Sequence, residues 1–211
     1  LDRMIELGVS TAEMGEYLKQ HFESALQRSP AESSKDVMGE LAKGVAEGLI
    51  SEQDAVSIII VLVGAAGEST SSLMGSAIRI LAQNAELQRR LREQPALIER
   101  YVEEVVRLES PFRGHYRAVL QETQLGGVSI PASARIFLLW AAANRDPTVF
   151  SKPDELDLDR HNTKEHLGFG HGIHFCIGAR LARMETRVIL EELLQQTSGF
   201  SLDSAIPAKH I

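Results

Sequence analysis

From Leu1 to about Gln27 the apolar positions Met4, Ile5, Val9, Ala12, Tyr17, Leu18, Phe22, Ala25 and Leu26 recur mostly at helical spacing, and Ser29-Pro30 ends the run. The pattern predicts one amphipathic helix. A polar linker, Ala31 to Ser34, leads into a short helix from about Asp36 to Glu47, closed by Gly48. Ser51 caps the next helix, with Glu52 and Asp54 in the first turn where the helix dipole favours acids, and the pattern runs on to about Asn84. Its centre, Ile58-Ile-Ile-Val-Leu-Val-Gly-Ala-Ala-Gly67, ends at Glu68, short of the roughly 20 residues that span a bilayer. The expectation is a buried helix, enclosed on most of its circumference. Two shorter helices follow, about Ala85 to Arg92 and Pro95 to Glu109, and Ser110-Pro111 stops the second.

Strand patterns then take over. Tyr116 to Val119, Val128 to Ile130 and Arg135 to Leu138 are short β-type runs separated by Gly126-Gly127 and Pro131-Ala-Ser133. They predict one small antiparallel sheet. From Asn144 to Leu167 the chain is irregular and rich in Asp, Pro and Arg, too long for an idle connection, and a last helix runs to about Thr197. The fold class is mainly α with a small antiparallel β-sheet.

Composition narrows the function. With 44% hydrophobic residues and seven prolines the 211-residue chain can bury a core, and a net charge of -7 argues against nucleic acid as a partner. A single cysteine and no signal-peptide pattern at Leu1 point to a cytoplasmic protein without a membrane partner. The first residue is Leu rather than Met, and helix follows at once, so the sequence is expected to begin inside a larger parent.

That cysteine, Cys176, stands in Phe169-Gly-His-Gly-Ile-His-Phe-Cys176-Ile-Gly178, directly before the helical pattern Ala179-Arg-Leu-Ala-Arg-Met-Glu185. A helix start stabilises a thiolate, the form that ligates metals or attacks substrates. Three readings compete with metal ligation by this thiolate alone. One is a buried structural cysteine. Another is zinc shared with His171 and His174, although zinc sites usually take four ligands. The third is a nucleophile, for which no organised base is evident.

The whole string, continued by Leu181-Ala182-Arg183, resembles the haem-binding loop of the cytochrome P450 family. Further segments resemble the same family in the same order: Glu104-Val-Val-Arg107, Ser110-Pro111, Asn144-Arg145-Asp146-Pro147, and Pro153-Asp154 to Arg160. The resemblance implies a cytochrome P450 fold truncated at both ends, the carboxyl-side half of a haem domain. Its parts are a long distal helix over about 51–84, a Glu-x-x-Arg helix over 95–109, a sheet over 115–138, a meander and ligand loop over 144–178, and a proximal helix over 177–197. It implies haem b, iron protoporphyrin IX, with Cys176 as the proximal iron ligand. Phe169 is expected near the sulfur, with Gly170, Gly172 and Gly178 permitting close backbone approach. Arg117 and His174 are the expected contacts to the haem carboxylates. Glu104 and Arg107 are expected to pair with Arg160 and lock the fold.

On the long helix, Ala65-Ala66-Gly67-Glu68-Ser69-Thr70 resembles the family's oxygen-handling segment, with Ser69 where threonine is usual and Ala66 where glycine is usual. Ala65 is then expected beside the haem face, with Glu68 and Ser69 as the proton-delivery pair. The implied activity is a monooxygenase acting on a small organic substrate, with Phe112 and Arg113 near the pocket. Its electrons are expected from a ferredoxin-type donor docking on Arg180, Arg183 and Arg187. The alternative is a non-catalytic haem-binding fragment that forms a homo-oligomer or needs another chain.

Overall fold

The computed structural model describes residues 2–28, 35–203 and 205, with side chains from residue 10 onward. The polar linker predicted over 31–34 lies outside the described residues. The chain divides into two compact units, Leu1–Gly67 and Glu68–Ile211.

The first unit holds α1 (Asp2–Leu26), α2 (Val37–Ala46) and the start of α3 (Glu52–Ala82). Local chemistry sets these ends. Asp36 accepts the Gly39 N–H at 2.8 Å and so caps α2. Ser51 and Asp54 form a reciprocal pair at the head of α3: the Asp54 N–H donates to Ser51 Oγ, which itself donates to Asp54 Oδ2 at 2.6 Å. Leu18, Phe22, Ala25, Ala42, Ala55 and Ile59 form the small core of this unit.

The second unit contains the rest of α3, then α4 (Ala85–Glu93), α5 (Ile98–Leu108), α6 (Trp140–Ala143) and α7 (Ala179–Gln196). Asn84 both ends α3 and caps α4, accepting the Leu87 N–H at 2.9 Å. A 3₁₀ turn, Pro95–Leu97, leads into α5, so the helix predicted from Pro95 begins three residues later. The core gathers Leu73, Ala77 and Leu81 of α3 with Tyr101, Val102, Val105 and Val106 of α5 and Leu190 and Leu194 of α7. Tyr101 reaches across to donate to the Ala77 carbonyl at 2.6 Å.

Two expectations need correction. The strands form two separate two-stranded antiparallel sheets: β1 (His115–Ala118) pairs with β4 (Arg135–Leu138), and β2 (Thr123–Leu125) pairs with β3 (Val128–Ile130). Strand β2 carries one large apolar residue in three, too little alternation to be seen in sequence. Its hairpin turns on Gly126 and Gly127, both at positive φ, which suits the tight two-residue turn. Second, α3 is not enclosed. Only 11% of its most apolar 18-residue window is buried, and Val61 is 67% exposed. By length and composition alone α3 is long and apolar enough to cross a membrane, the one such helix among the described residues.

Candidate active site

The second unit is built around a buried charge cluster. Glu104 and Arg107 lie one turn apart on α5, and both side chains are fully buried. Arg107 grips Glu104 with Nε at 2.7 Å and Nη2 at 2.9 Å. Its remaining N–H groups donate to the carbonyls of Asn144, Pro153 and Glu155. Arg160 donates from Nε to Glu104 Oε1 at 3.1 Å, as expected for the third member, and the Asp157 N–H donates to Oε2 at 2.9 Å. Burial would raise the Glu104 carboxyl, but the hydrogen bonds from Arg107 and Asp157 and the nearby guanidinium charges hold it below its ordinary value. Phe150 packs under Arg107, its centroid 5.2 Å from the guanidinium carbon. Five hydrogen bonds of this cluster thus help pin the irregular segment 144–160 to α5.

Asn144 continues the anchoring toward the cysteine. Its amide donates to Ser110 Oγ at 2.9 Å and its oxygen accepts the Leu167 N–H at 2.6 Å. Gly168 then passes so close to α5 that an added Cβ would lie 2.6 Å from Val106 Cγ1 and 3.0 Å from the Val106 carbonyl. Among the glycines from Gly168 to Gly178 this is the one whose smallness packing demands. Gly170 and Gly172 instead supply positive φ, and a Cβ at Gly172 would meet nothing within 4 Å. Gly178 has no positive φ, and its Cβ would sit 3.9 Å from Cys176 Sγ.

The loop brings Phe169, Gly170, His174, Cys176 and Gly178 together. The Cys176 N–H donates to the Phe169 carbonyl at 2.9 Å, and the Phe169 ring lies 6.4 Å from that of Phe175. Cys176 is an exposed free thiol, which overturns the reading of a buried structural cysteine. Around it Ile173 is 99% and Ile177 90% exposed. Among the described residues no group of three or more His, Cys, Asp or Glu is arranged to hold a metal ion, so the zinc reading finds no ligand set.

The other predicted residues lie elsewhere. Arg117 is exposed on β1, donating from Nη1 to the Tyr116 carbonyl at 2.9 Å. Glu68 is exposed and Ser69 half-buried on an uninterrupted stretch of α3, while Ala65 belongs to the first unit. Phe112 is half exposed, its ring 5.3 Å from that of His115.

A model of the family described as Cytochrome P450 matches residues 11–203. The chain belongs to the cytochrome P450 family. Cytochrome P450 144 of Mycobacterium tuberculosis is 43% identical over 197 residues, covering 93% of this chain and 44% of the relative. The biotin biosynthesis cytochrome P450 of Bacillus subtilis is 36% identical over 182 residues, covering 86% and 46%. Among solved structures, CYP109E1 from Bacillus megaterium in complex with corticosterone superposes with a TM-score of 0.88 at 26% identity, covering all of this chain and 56% of its own. HmtN, a post-tailoring hydroxylase of himastatin biosynthesis, gives 0.86 at 31% identity, covering 98% and 55%. The chain spans about half the length of the curated relatives it matches. The P450 family uses haem, and the mainly helical fold with small antiparallel sheets is the family's fold in part.

Sequence reasoning missed two residues, Glu103 and His166. Glu103, beside the signature glutamate, binds His166 Nε2 at 3.1 Å and both Nε and Nη2 of Arg183. Arg183, expected to face a donor protein, has its guanidinium carbon 4.4 Å from the Phe169 centroid. Burial would raise the Glu103 carboxyl, but the hydrogen bonds from His166 and Arg183 and the Arg183 charge hold it at about 2. Spacings of 63 and 80 residues leave no local signal for such a cluster.

Proposed function

We propose that the chain is the carboxyl-side part of a haem-thiolate monooxygenase of the cytoplasm, which inserts one oxygen atom of dioxygen into a small organic substrate. The observation that carries this reading is the Cys176 loop, which exposes its thiol together with the large apolar side chains of Ile173, Phe175 and Ile177. Large apolar side chains around a soft donor fit a wide planar apolar group rather than water. Iron protoporphyrin IX meets that description, with Cys176 holding the iron and Arg117 and His174 the carboxylates, Arg117 through the fork suited to a bidentate grip. When bound, the haem supplies dioxygen binding and O–O cleavage favoured by the thiolate.

The chain's own residues supply the rest. Cys176 is kept in place by its N–H bond to the Phe169 carbonyl, and Gly178 leaves the space beside the sulfur open. Glu68 and Ser69 would relay protons, the carboxylate accepting and the Ser69 hydroxyl both accepting and donating at Oγ. Ala65 leaves room on the same helix. Phe112 and Arg113 border the substrate. An apolar substrate is supported by the corticosterone held by CYP109E1 and by the hexadec-9Z-enoic acid carried on an acyl carrier protein in the P450BioI complex.

Electrons come from a ferredoxin-type donor. An open groove of about 920 Å³ is lined by Arg100, Lys164, Arg180 and Arg187 together with Glu99 and Asp159. Arg187 already pairs with Glu99 at 3.6 Å, and Arg183 is engaged by Glu103, so Arg180 and Lys164 carry more of the docking charge than the spacing in sequence implied.

A second reading, a haem-binding fragment that needs another chain or a second copy, is favoured by the exposed apolar surface of α3. Haem loading followed by titration with apolar organic compounds separates the two. A substrate-dependent spin-state change in a monomer supports the monooxygenase, whereas a haem-free, oligomeric preparation supports the fragment.

A further inference from the structure

Phe169 is held twice. Its carbonyl accepts the Cys176 N–H, so the placement of its backbone sets that of the thiol-bearing residue. Its ring is covered by the Arg183 guanidinium at 4.4 Å, with His166 at 5.8 Å between ring centroids. Arg183 is itself fixed. Nε and Nη2 meet the two oxygens of Glu103, the latter at 3.0 Å, and Nη1 donates to the Ala179 carbonyl at 3.3 Å. His166 completes the cluster. Its Nδ1 accepts the Gly168 N–H at 3.1 Å, which leaves Nε2 to carry the ring proton and donate to Glu103. The side chains of Glu103 and His166 are 10% and 2% exposed and that of Arg183 31%, so the fork is largely shielded from competing water.

Two segments therefore meet the ring, the end of the irregular segment through His166 and the start of α7 through Arg183, and α5 anchors both of those side chains through Glu103. A neutralising ion pair alone would need no ring contact. A planar guanidinium that is bound along one edge and stacked on its face does two jobs that an ammonium cannot do together.

We infer that Glu103, His166 and Arg183 are positioning residues for the Cys176 loop: the Glu103-anchored guanidinium clamps the Phe169 ring, and the Phe169 backbone passes that constraint to Cys176. The redox consequence rests on the reading of Cys176 as the haem-iron ligand, because hydrogen bonding and geometry around a ligating sulfur tune its electron donation.

Amide hydrogen exchange on the haem-free chain tests the clamp without relying on haem. In Arg183→Ala, Glu103→Gln and Phe169→Leu the Cys176 amide is expected to exchange at least tenfold faster than in the wild type, with α4 amides unchanged. Arg183→Lys recovers only part of the protection, since it keeps the charge and loses the fork. The double variant Arg183→Ala/Phe169→Leu exchanges no faster than Phe169→Leu alone, because Arg183 acts through the ring. Where Arg183→Ala does not fold, Arg183→Lys replaces it in the same cycle. Wild-type exchange at Cys176 in the single variants, or effects that multiply in the double, overturn the clamp. On the haem-loaded chain the midpoint potential of Arg183→Lys shifts in the same direction as that of Phe169→Leu, and an unchanged potential overturns the redox consequence. A wild-type chain without a red-shifted ferrous carbon monoxide band overturns the iron-ligand reading, while the exchange cycle still decides the clamp.

Discussion

Replacing Glu104 by Gln removes one negative charge from between two buried guanidinium groups without changing the side chain's shape. Both carboxylate oxygens are in use. Oε1 accepts from Arg107 Nε and Arg160 Nε, and Oε2 accepts from Arg107 Nη2 and the Asp157 N–H. Whichever way the new amide turns, its NH₂ group faces two donors. The Glu104 and Arg107 side chains are 0% exposed and that of Arg160 2%, so water cannot step in. Breaking a buried pair from one side costs about 3–5 kcal/mol, chiefly because the partner charge stays buried and uncompensated. That is a large part of the ~5–15 kcal/mol by which domains are stable. At roughly 2–4 °C per kcal/mol for a chain of this size, the melting temperature falls by roughly 6–20 °C. Thermal unfolding followed by circular dichroism at neutral pH measures it. Glu155→Gln is the control, since the Glu155 carboxylate pairs only with the exposed Lys152 among the described residues. It should change stability by under about 0.5 kcal/mol. A Glu104→Gln chain that melts with the control would refute the view that this cluster holds the irregular segment in place.

Three further outcomes follow from other contacts. The Glu103 carboxyl is held at about 2 in the fold against an ordinary 4.5, so its stabilisation is complete above pH 4.5 and is lost as pH falls toward 2. The amount is roughly 3 kcal/mol at ~1.4 kcal/mol per pH unit, and acid denaturation of Glu103→Gln should accordingly be shallower than wild type in that window; parallel curves would contradict it. Gly168→Ala drives a methyl against Val106 and should cost about 1–3 kcal/mol in urea unfolding, with no loss at all arguing that the segment has room to move. Arg187→Glu should slow association with an acidic ferredoxin and weaken its salt dependence in stopped-flow measurements, and an unchanged rate would remove this arginine from the docking face.

Much of this molecule is legible in its sequence because the signals are local. Helix ends at Asp36, Ser51 and Asn84 follow capping chemistry within three residues, and α7 runs close to its expected limits. The Cys176 string is contiguous, and Glu104 and Arg107 are one turn apart. Arg160 was reachable only through the family resemblance, since 56 residues separate it from Glu104. Where partners are distant in sequence and unmarked by any motif, the pattern was silent. Glu103 reads as one more acid on a helix, and Arg183 as one of three evenly spaced surface cations. Asn144 looks like a turn residue, yet it is fully buried and joins three segments. The environment of α3 is illegible for a different reason: an apolar run shows that a helix seeks cover and carries no information about what provides it.

The central claim is that Cys176 ligates haem iron. The most direct measurement is the carbon monoxide difference spectrum of the reduced, haem-loaded chain, compared between wild type and Cys176→His. The account predicts a red-shifted, thiolate-type band in the wild type and an imidazole-type band in the variant. The same band position in both proteins would contradict it.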